Sequence, residues 1–557
     1  MKLLLPIFLT IIACGWCNGL QILGIFPLNG KSHWVMAERL MTSLAERGHQ
    51  VDVVTHFPLK KLPLNYNQIS LDGTLPTVVN NMNATNVTAF GNLDVAKLME
   101  IAGTRICELM SHKQLQDVLK TSKDYDLIII ETEKSDFYLP QMFTFPCYLG
   151  FGSHLNKPIV GIITSGFPEW LSSYIGNPYN PSFTPGIFQS LSQRMTFWER
   201  LQNTVLTNLI AGQIISHMNK QSDFVRKYMN IDAEIPDLYR NVAAILVNSH
   251  YSINGINPTT PGVIEVGGLH INENSDPLSP EVKKWLDEST QGCVFFTFGS
   301  MVRIETFPKP LIETFYKVFK RIAPVRVLMK VAKKEDLLPG LPKNVMVQPW
   351  YPQVTVFKHK NVKAFITHGG LMGTQEAIYF GIPLVGIPLF GDQHMNLKHA
   401  ANKKVAVNLG SLDNITEETL YQALDTVLYD ETYRSNMKRL SNLFRERPMS
   451  AIDTAIYWIE YVGRNGFILQ SPAMHLTWWQ QNLLDIYAFI LACVAVVLYI
   501  AVLLIQKLKN YIFGCRSCSK QKISESKKKN QLFICKKNIV QFLFFQYCKI
   551  VKCCINI

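Results

Sequence analysis

Cysteine is scarce where the chain is longest: between Leu20 and Asp485 only Cys107, Cys147 and Cys293 appear, out of 12 in the 557 residues. So thin a supply excludes a small disulfide-knit scaffold, and no disulfide framework is expected to hold the fold. Charge is also missing from this stretch. Of the formal +13, the segment after Ile505 carries +11 (eleven lysines and Arg516 against Glu525) and Lys2 one more, leaving the body near +1. A near-neutral body removes the electrostatic footprint that nucleic-acid binding requires, so no nucleic-acid partner is expected. The body has no short-period repeat, no low-complexity tract and no His/Cys/Asp cluster with ligand spacing, so a metal site is not expected.

Long hydrophobic runs are present only at the ends. Residues 1–19 place Lys2 before the apolar run "LLLPIFLTIIACGW" and small residues after it, the layout of a cleaved secretory leader. Ile486 to Ile505 gives 20 residues without a charge, which matches the ~20 needed to cross a bilayer as a helix. Trp478 and Trp479 precede this run and Tyr511 follows it, as aromatic side chains at the two interfaces would, and Lys507 and Lys509 stand directly on its C-terminal side. A buried core helix is the alternative reading. The basic segment 506–557 predicts a cytosolic tail and a lumenal body, a single-pass type I arrangement. Sequons at Asn83, Asn86 and Asn414 are compatible with it.

The body alternates strand and helix. "QILGIFPL", the helix "WVMAERLMTSLAERGH" and "VDVVTHF" open a βαβ pattern, and "YDLIIIE" extends it. Residues 183–218 carry apolar faces without a strand pattern and predict helices: core helices in the ordinary reading, with an acceptor-pocket wall or a membrane-surface contact as the others. A second alternation is read from "VAAILVNS" through "GCVFFTFGS", "VRVLMKV", "NVMVQPW" and "VKAFITH". The expected division is therefore 20–240 and 241–465, two α/β halves in series, then a juxtamembrane segment 466–485, the span 486–505 and the tail 506–557.

Chemistry concentrates in "THGGLMGTQEAIYFGIPLVGIPLFGDQ", residues 367–393. A buried parallel strand runs here into a helix entered through glycines, and such a helix start binds anions through free N–H groups and the helix dipole. Gly370 permits close approach, His368 can donate to a phosphate oxygen, and Thr374 adds a hydroxyl. Glu376 can accept from ribose hydroxyls, and Asp392 with Gln393 offers the paired acceptor and donor that a sugar needs.

Taken whole, this stretch resembles the signature of the UDP-glycosyltransferases. "FTFGSM" (296–301), "PWYPQ" (349–353), "SHW" (32–34) and "HLTWWQ" ahead of the anchor are similar to further family segments, the last to its membrane-bound animal branch. The resemblance runs from about residue 20 to 530. It implies the GT-B fold, two Rossmann-like domains facing across a cleft, with the acceptor on the N-terminal domain and the nucleotide sugar on the C-terminal one. Trp350 would stack on uracil, Gln353 contact the nucleoside, Ser300 and His368 meet the diphosphate, Glu376 hold the ribose, and Asp392 and Gln393 the sugar. Met372 and Gly373 depart from an Asn and a Ser that relatives often carry, which leaves more of the phosphate binding to main-chain donors.

Inverting transfer needs a base for the acceptor hydroxyl. His33 is expected to serve, since it follows the first strand at the carboxyl edge where open α/β sheets place their sites. The family pairs this histidine with an aspartate, and Asp136 is the candidate, while Asp124 and Asp126 read as strand-start residues. Relatives continue directly from that aspartate into something like "CYLGF"; here the ten residues "FYLPQMFTFP" (137–146) intervene. The expected activity is transfer of a hexose to a hydroxyl of a small lipophilic acceptor at the endoplasmic reticulum membrane, without a cofactor. UDP-glucose is the expected donor and UDP-glucuronate the alternative. A catalytically silent binding member is the rival reading, prompted by the insertion, and a homo- or hetero-oligomer is compatible.

Overall fold

Thirteen strands among the described residues form two all-parallel sheets. The computed structural model describes residues 19–85, 103–133, 145–274 and 276–517. The expected leader, Asn86, Asp136, most of the 137–146 insertion and the tail beyond residue 517 lie outside them.

In chain order the strands of the first sheet are β1 (Gln21–Phe26), β2 (Gln50–Thr55), β3 (Tyr66–Ser70), β4 (Leu127–Glu133), β5 (Ile159–Ile163), β6 (Val242–Val247) and β7 (Val263–Glu265). They lie side by side as β3-β2-β1-β4-β5-β6-β7. Both faces are apolar, as a parallel sheet covered on both sides requires. Ile22, Val53, Ile129 and Ile162 pack into one buried cluster, while Leu23, Ile25, Ile128, Ile130 and Ile163 pack into the other. The helix α1 (Lys31–Glu46) joins β1 to β2 and buries Met36, Leu40, Met41 and Leu44.

The second sheet comprises β8 (Cys293–Thr297), β9 (Arg326–Lys330), β10 (Val345–Gln348), β11 (Val362–Thr367), β12 (Leu384–Gly386) and β13 (Ala406–Asn408), in the order β10-β9-β8-β11-β12-β13. Strand order therefore reverses between β1 and β4 in the first sheet and between β8 and β11 in the second. Crevices at such reversals, outside the carboxyl ends of the strands, are where open α/β sheets bind ligands.

The partition differs from the expected one in two places. "VAAILVNS" is β6 and pairs with β5 in register Ile162↔Leu246 and Ile163↔Val247, so the first sheet runs on to Glu265 instead of ending near 240. An apolar run bounded by loops carries no mark of which sheet it joins. The helix α6 (Ala451–Asn465) also returns to the first sheet. It buries Ala455, Ile456, Ile459 and Val462 among the first-sheet cluster, and its Asp453 and Glu460 meet Arg47 and His49. Ile456, Ile459 and Val462 each contribute roughly 1.5–3 kcal/mol when taken from water.

Two further features correct the sequence reading. Cys107 and Cys147 form a disulfide that closes a 40-residue separation. The stretch 183–218 contributes one long helix, α2 (Phe197–Asn219), and its first half is inverted relative to a core helix. Asn203 and Thr207 are buried, while Phe197, Trp198, Leu201, Val205 and Leu209 are exposed. A capping box fixes its start: Thr196 Oγ1 accepts the Glu199 N–H and the Glu199 carboxylate accepts the Thr196 N–H.

From Leu476 the chain forms a separate unit. Its helix α7 (Leu484–Ser517) contains the 30-residue candidate membrane span Leu484–Phe513, which includes the uncharged run 486–505. At 1.5 Å per residue that is about 45 Å, enough for the ~30 Å hydrocarbon core of a bilayer.

Candidate active site

His33, two residues inside α1, stands just past β1 and is 2% exposed. Its Nδ1 lies 3.1 Å from Oε1 of Glu131 and 2.5 Å from Oγ1 of Thr164. Glu131 is on β4 and Thr164 directly follows β5, so three consecutive carboxyl ends around the first strand-order reversal meet on one ring. A carboxylate facing Nδ1 fixes the tautomer: the proton sits on Nδ1 and donates to Glu131, leaving Nε2 as the basic nitrogen. The Thr164 carbonyl accepts from Asn248 Nδ2 at 2.9 Å, which ties this corner to the end of β6. Asp126 and Asp124 play the structural parts expected of them, the first accepting the Gln21 N–H at 2.7 Å and the second pairing with Lys157.

The second reversal gathers the groups expected to hold the donor. Gly299, at φ +77°, turns the chain after β8 so that Ser300 faces the reversal, and the Ser300 hydroxyl is buried without a partner. His368 follows β11. A Cβ on Gly299 or on Gly370 would stand 2.9 Å from the His368 ring, so both glycines are needed for the imidazole to lie between the two turns. Gly370 caps the helix α4 (Leu371–Phe380), whose first N–H groups are available for anions.

Glu376 is braced from two sides: its Oε2 accepts from Gln353 Nε2 at 2.5 Å and its Oε1 lies 3.4 Å from Nε2 of His270. Gln353 begins α3 (Gln353–Lys358), and Gly373 leaves it room, since a Cβ there would come within 3.3 Å of Gln353 Nε2. Trp350 is 50% exposed, which leaves one ring face open to stacking.

Gln393 opens the helix α5 (Gln393–Asn402); its Oε1 accepts the Leu389 and Phe390 N–H groups at 2.9 and 3.1 Å, which leaves the amide nitrogen as the donor end. Asp392 accepts from Asn396 Nδ2 at 2.9 Å, and the same nitrogen reaches the Gly369 carbonyl at 3.1 Å, joining the sugar pair to the glycine turn. Thr374 falls elsewhere. It is 1% exposed and lines a small recess with Ile253, Ile378 and His399, because helical rotation carries position 374 away from the side that presents 373 and 376.

Sequence reasoning passed over four of these groups. Glu131 was signalled by an acid closing the apolar strand "LIIIE", and Lys330 by a lone lysine in "VRVLMKV". Lys330 is 6% exposed and donates to the Gly299 carbonyl at 2.8 Å and to Asn80 Oδ1 at 2.6 Å, with its ammonium 5.9 Å from the Trp350 ring centre. Burial lowers its pKa to about 8. Thr164 and His270 had no local signal. Among the described residues no group of three or more His, Cys, Asp or Glu is arranged to hold a metal ion.

Two switch-point crevices, one with a buried histidine and one with a glycine turn, a helix start and a half-exposed tryptophan, define a nucleotide-sugar-dependent glycosyltransferase of the two-Rossmann-sheet type. The glycosyltransferase in the structure titled "Crystal Structure Analysis of the Glycotransferase of kitacinnamycin" shares the fold, with a TM-score of 0.53 at 15% identity over 80% of this chain and 99% of that one. The family model described as "UDP-glucoronosyl and UDP-glucosyl transferase" matches residues 22–525, and the chain belongs to that family. It is 36% identical to UDP-glucosyltransferase 2 of Dactylopius coccus over 85% of this chain and 90% of that protein. It is 30% identical to UDP-glucuronosyltransferase 1A6 of Mus musculus, covering 89% and 91%. The chain is therefore a UDP-sugar-dependent glycosyltransferase.

Proposed function

We propose that the chain transfers glucose from UDP-glucose, with inversion, to a hydroxyl of a small lipophilic acceptor, with His33 as base and Glu131 in the orienting role expected of Asp136. The observation that carries this reading is the buried His33–Glu131 contact at the first strand-order reversal. As the acceptor oxygen attacks the anomeric carbon, His33 Nε2 takes its proton. The bond from that carbon to the diphosphate oxygen breaks, and UDP leaves with the electron pair. Glu131 stabilises the imidazolium so formed, while Ser300, His368 and the start of α4 offer donors to the departing diphosphate. A general base contributes typically 10²–10⁴-fold to such a step.

The name of the Dactylopius relative supports glucose. The apolar helix and the basic residues after it support a bilayer anchor with the body in the endoplasmic reticulum lumen.

The test is sugar transfer by membranes bearing the full chain, with UDP-glucose and UDP-glucuronate, a panel of phenols, flavonoids and steroids, and His33→Ala in parallel. Product from UDP-glucose that His33→Ala abolishes is expected. Preference for UDP-glucuronate would overturn the donor reading, and activity surviving in His33→Ala would overturn the base.

A further inference from the structure

One cleft is lined by residues a few positions along the chain from both halves of the machinery. Its wall begins at Gly166, two residues beyond the His33 partner Thr164. It ends at Met395 and His399 on α5, the helix that starts with the Asp392–Gln393 pair. Most of the lining is apolar, including Phe167, Ile187, Val247 and Val263. Four buried polar side chains interrupt it, Glu169, Ser172, Asn177 and Ser249, of which Asn177 accepts the Thr260 N–H and Ser249 donates to Glu265. Glu169 is 8% exposed, and its Oε2 accepts the Ile187 N–H at 3.2 Å. Ser172 is 7% exposed, and its hydroxyl has no partner.

The loop around Glu169 is held by other groups. Asn203 on α2 accepts the Gly186 N–H at 2.9 Å and donates to the Pro181 and Thr184 carbonyls at 2.8 and 2.9 Å, and Gln189 donates to Thr207 at 2.8 Å. Gly186 is needed for this approach, since a Cβ would stand 2.5 Å from Thr207 Oγ1 and 3.1 Å from Glu169 Oε1. With the loop ordered by amides and hydroxyls, Glu169 retains acceptor capacity toward the cleft. Burial pushes its pKa up to about 7, against the backbone hydrogen bonds from Glu169 and Ile187 that lower it. The other charged groups in the cleft are already engaged: Glu265 accepts from Ser249 at 2.7 Å, and His399 meets the Leu191 carbonyl at 3.3 Å.

A buried polar atom without a partner among the described residues, as the Ser172 hydroxyl is, costs free energy that a ligand's donor can return, and a few polar groups in an apolar pocket are what fix a ligand's orientation. We propose that this cleft is the acceptor pocket and that Glu169 and Ser172 bind a hydrogen-bond donor on the acceptor, remote from the hydroxyl that receives the sugar. The acceptor class is an apolar-bodied molecule with a second hydroxyl or amino group at its far end. The proposal rests on the transferase reading above.

The test uses the full chain in membranes with UDP-glucose and phenols in matched pairs on one- and two-ring spacers, each pair ending in a hydroxymethyl group or its methyl ether. For the best-fitting pair, kcat/KM for phenolic transfer should favour the free hydroxyl at least tenfold in the wild type. The preference should fall within threefold in Glu169→Gln, with the UDP-glucose KM and melting temperature kept. A wild type indifferent to methylation in every pair, or a preference that survives Glu169→Gln, would overturn the proposal. Equilibrium dialysis of the same pairs reads the pocket without turnover. If no acceptor is glycosylated, the transferase reading fails by itself. A tenfold binding preference lost in Glu169→Gln would still sustain the pocket, and equal binding would overturn it.

Discussion

Glu131→Gln should cripple the enzyme while leaving the donor site intact. His33 and Glu131 are 2% and 3% exposed, so no bulk water screens the charge that forms on the ring when it takes the acceptor proton. A hydrogen bond to a charged partner contributes about 1.5–3 kcal/mol, which at 1.4 kcal/mol per decade is roughly 10–150-fold in rate. Glutamine adds a second loss. Its amide can present N–H to Nδ1, which moves the ring proton to Nε2 and removes the basic nitrogen; a wrong tautomer of this kind costs about 10⁴-fold in a serine-protease triad. The expected fall in kcat/KM for the acceptor is therefore about 10²–10⁴-fold for Glu131→Gln. Glu131→Asp should fall less, because the charge survives at a longer reach. The assay is initial-rate sugar transfer at saturating acceptor, with the UDP-sugar KM measured separately. That KM should stay within twofold, because Glu131 lies at the first-sheet reversal and the donor groups at the second. Asp136→Asn in the same assay is the decisive control: a large loss there with Glu131→Gln near wild type would refute the assignment and restore the aspartate.

Three other outcomes are expected. Cys107→Ser should lower the unfolding free energy by about 4 kcal/mol, the chain-entropy value for a 40-residue loop, and slow migration on non-reducing gels; denaturant midpoints check the first. Gly370→Ala puts a Cβ 2.9 Å from His368 Nε2 and should raise the UDP-sugar KM about tenfold by displacing the ring, with acceptor KM unchanged. Donor affinity should weaken several-fold as pH rises through about 8, where Lys330 loses its ammonium, and Lys330→Met should be flat across that range while binding more weakly throughout. Loss of folding does not mimic this effect. With the folded pKa of Lys330 depressed from 10.5, the unfolded chain binds more protons between pH 8 and 10.5, so this group's contribution to stability rises with pH there.

The motif that sequence reasoning weighted most, residues 367–393, folds as a strand, glycine turn and helix, because period-2 apolar runs and helix-entry glycines are local signals. His33, His368 and Glu376 were legible for the same reason: each follows a strand or lies in the helix after one. What was illegible depended on strand order. Glu131 and Thr164 reach His33 only because β4 lies beside β1 and β5 beside β4, and nothing in "LIIIE" or "IVGIIT" names its neighbour. The reassignment of β6, the return of α6 and the Cys107–Cys147 pair are non-local in the same way. Thr374 shows the converse: the motif suggested a hydroxyl beside the glycine turn, and a 100° step per residue places it in a buried recess.

The two sheets share one catalytic geometry through a segment that belongs to neither motif. Residues 78–82 bind the catalytic loop on one side, where the Val78 N–H donates to the Asn29 carbonyl at 2.9 Å. On the other side they bind the diphosphate turn. The Asn80 N–H donates to the Ser300 carbonyl at 2.9 Å, the Met82 N–H to the Met301 carbonyl at 3.1 Å, and the Arg303 N–H returns to the Met82 carbonyl at 2.9 Å. Lys330 adds a side-chain tie by holding Asn80 and Gly299 together. Further along, Gln375 on α4 accepts the Gly268 N–H at 3.1 Å and donates to the Asn248 carbonyl at 3.1 Å, and Asn248 in turn supports Thr164 beneath His33. The proposed base and the proposed donor turns are thus linked twice, once through backbone pairing and once through amide side chains. Near-attack alignment tolerates errors of only a fraction of an ångström. Two independent ties of this kind, each ending within a few residues of a reacting group, are how a chain with its base on one sheet and its donor on another can meet that tolerance.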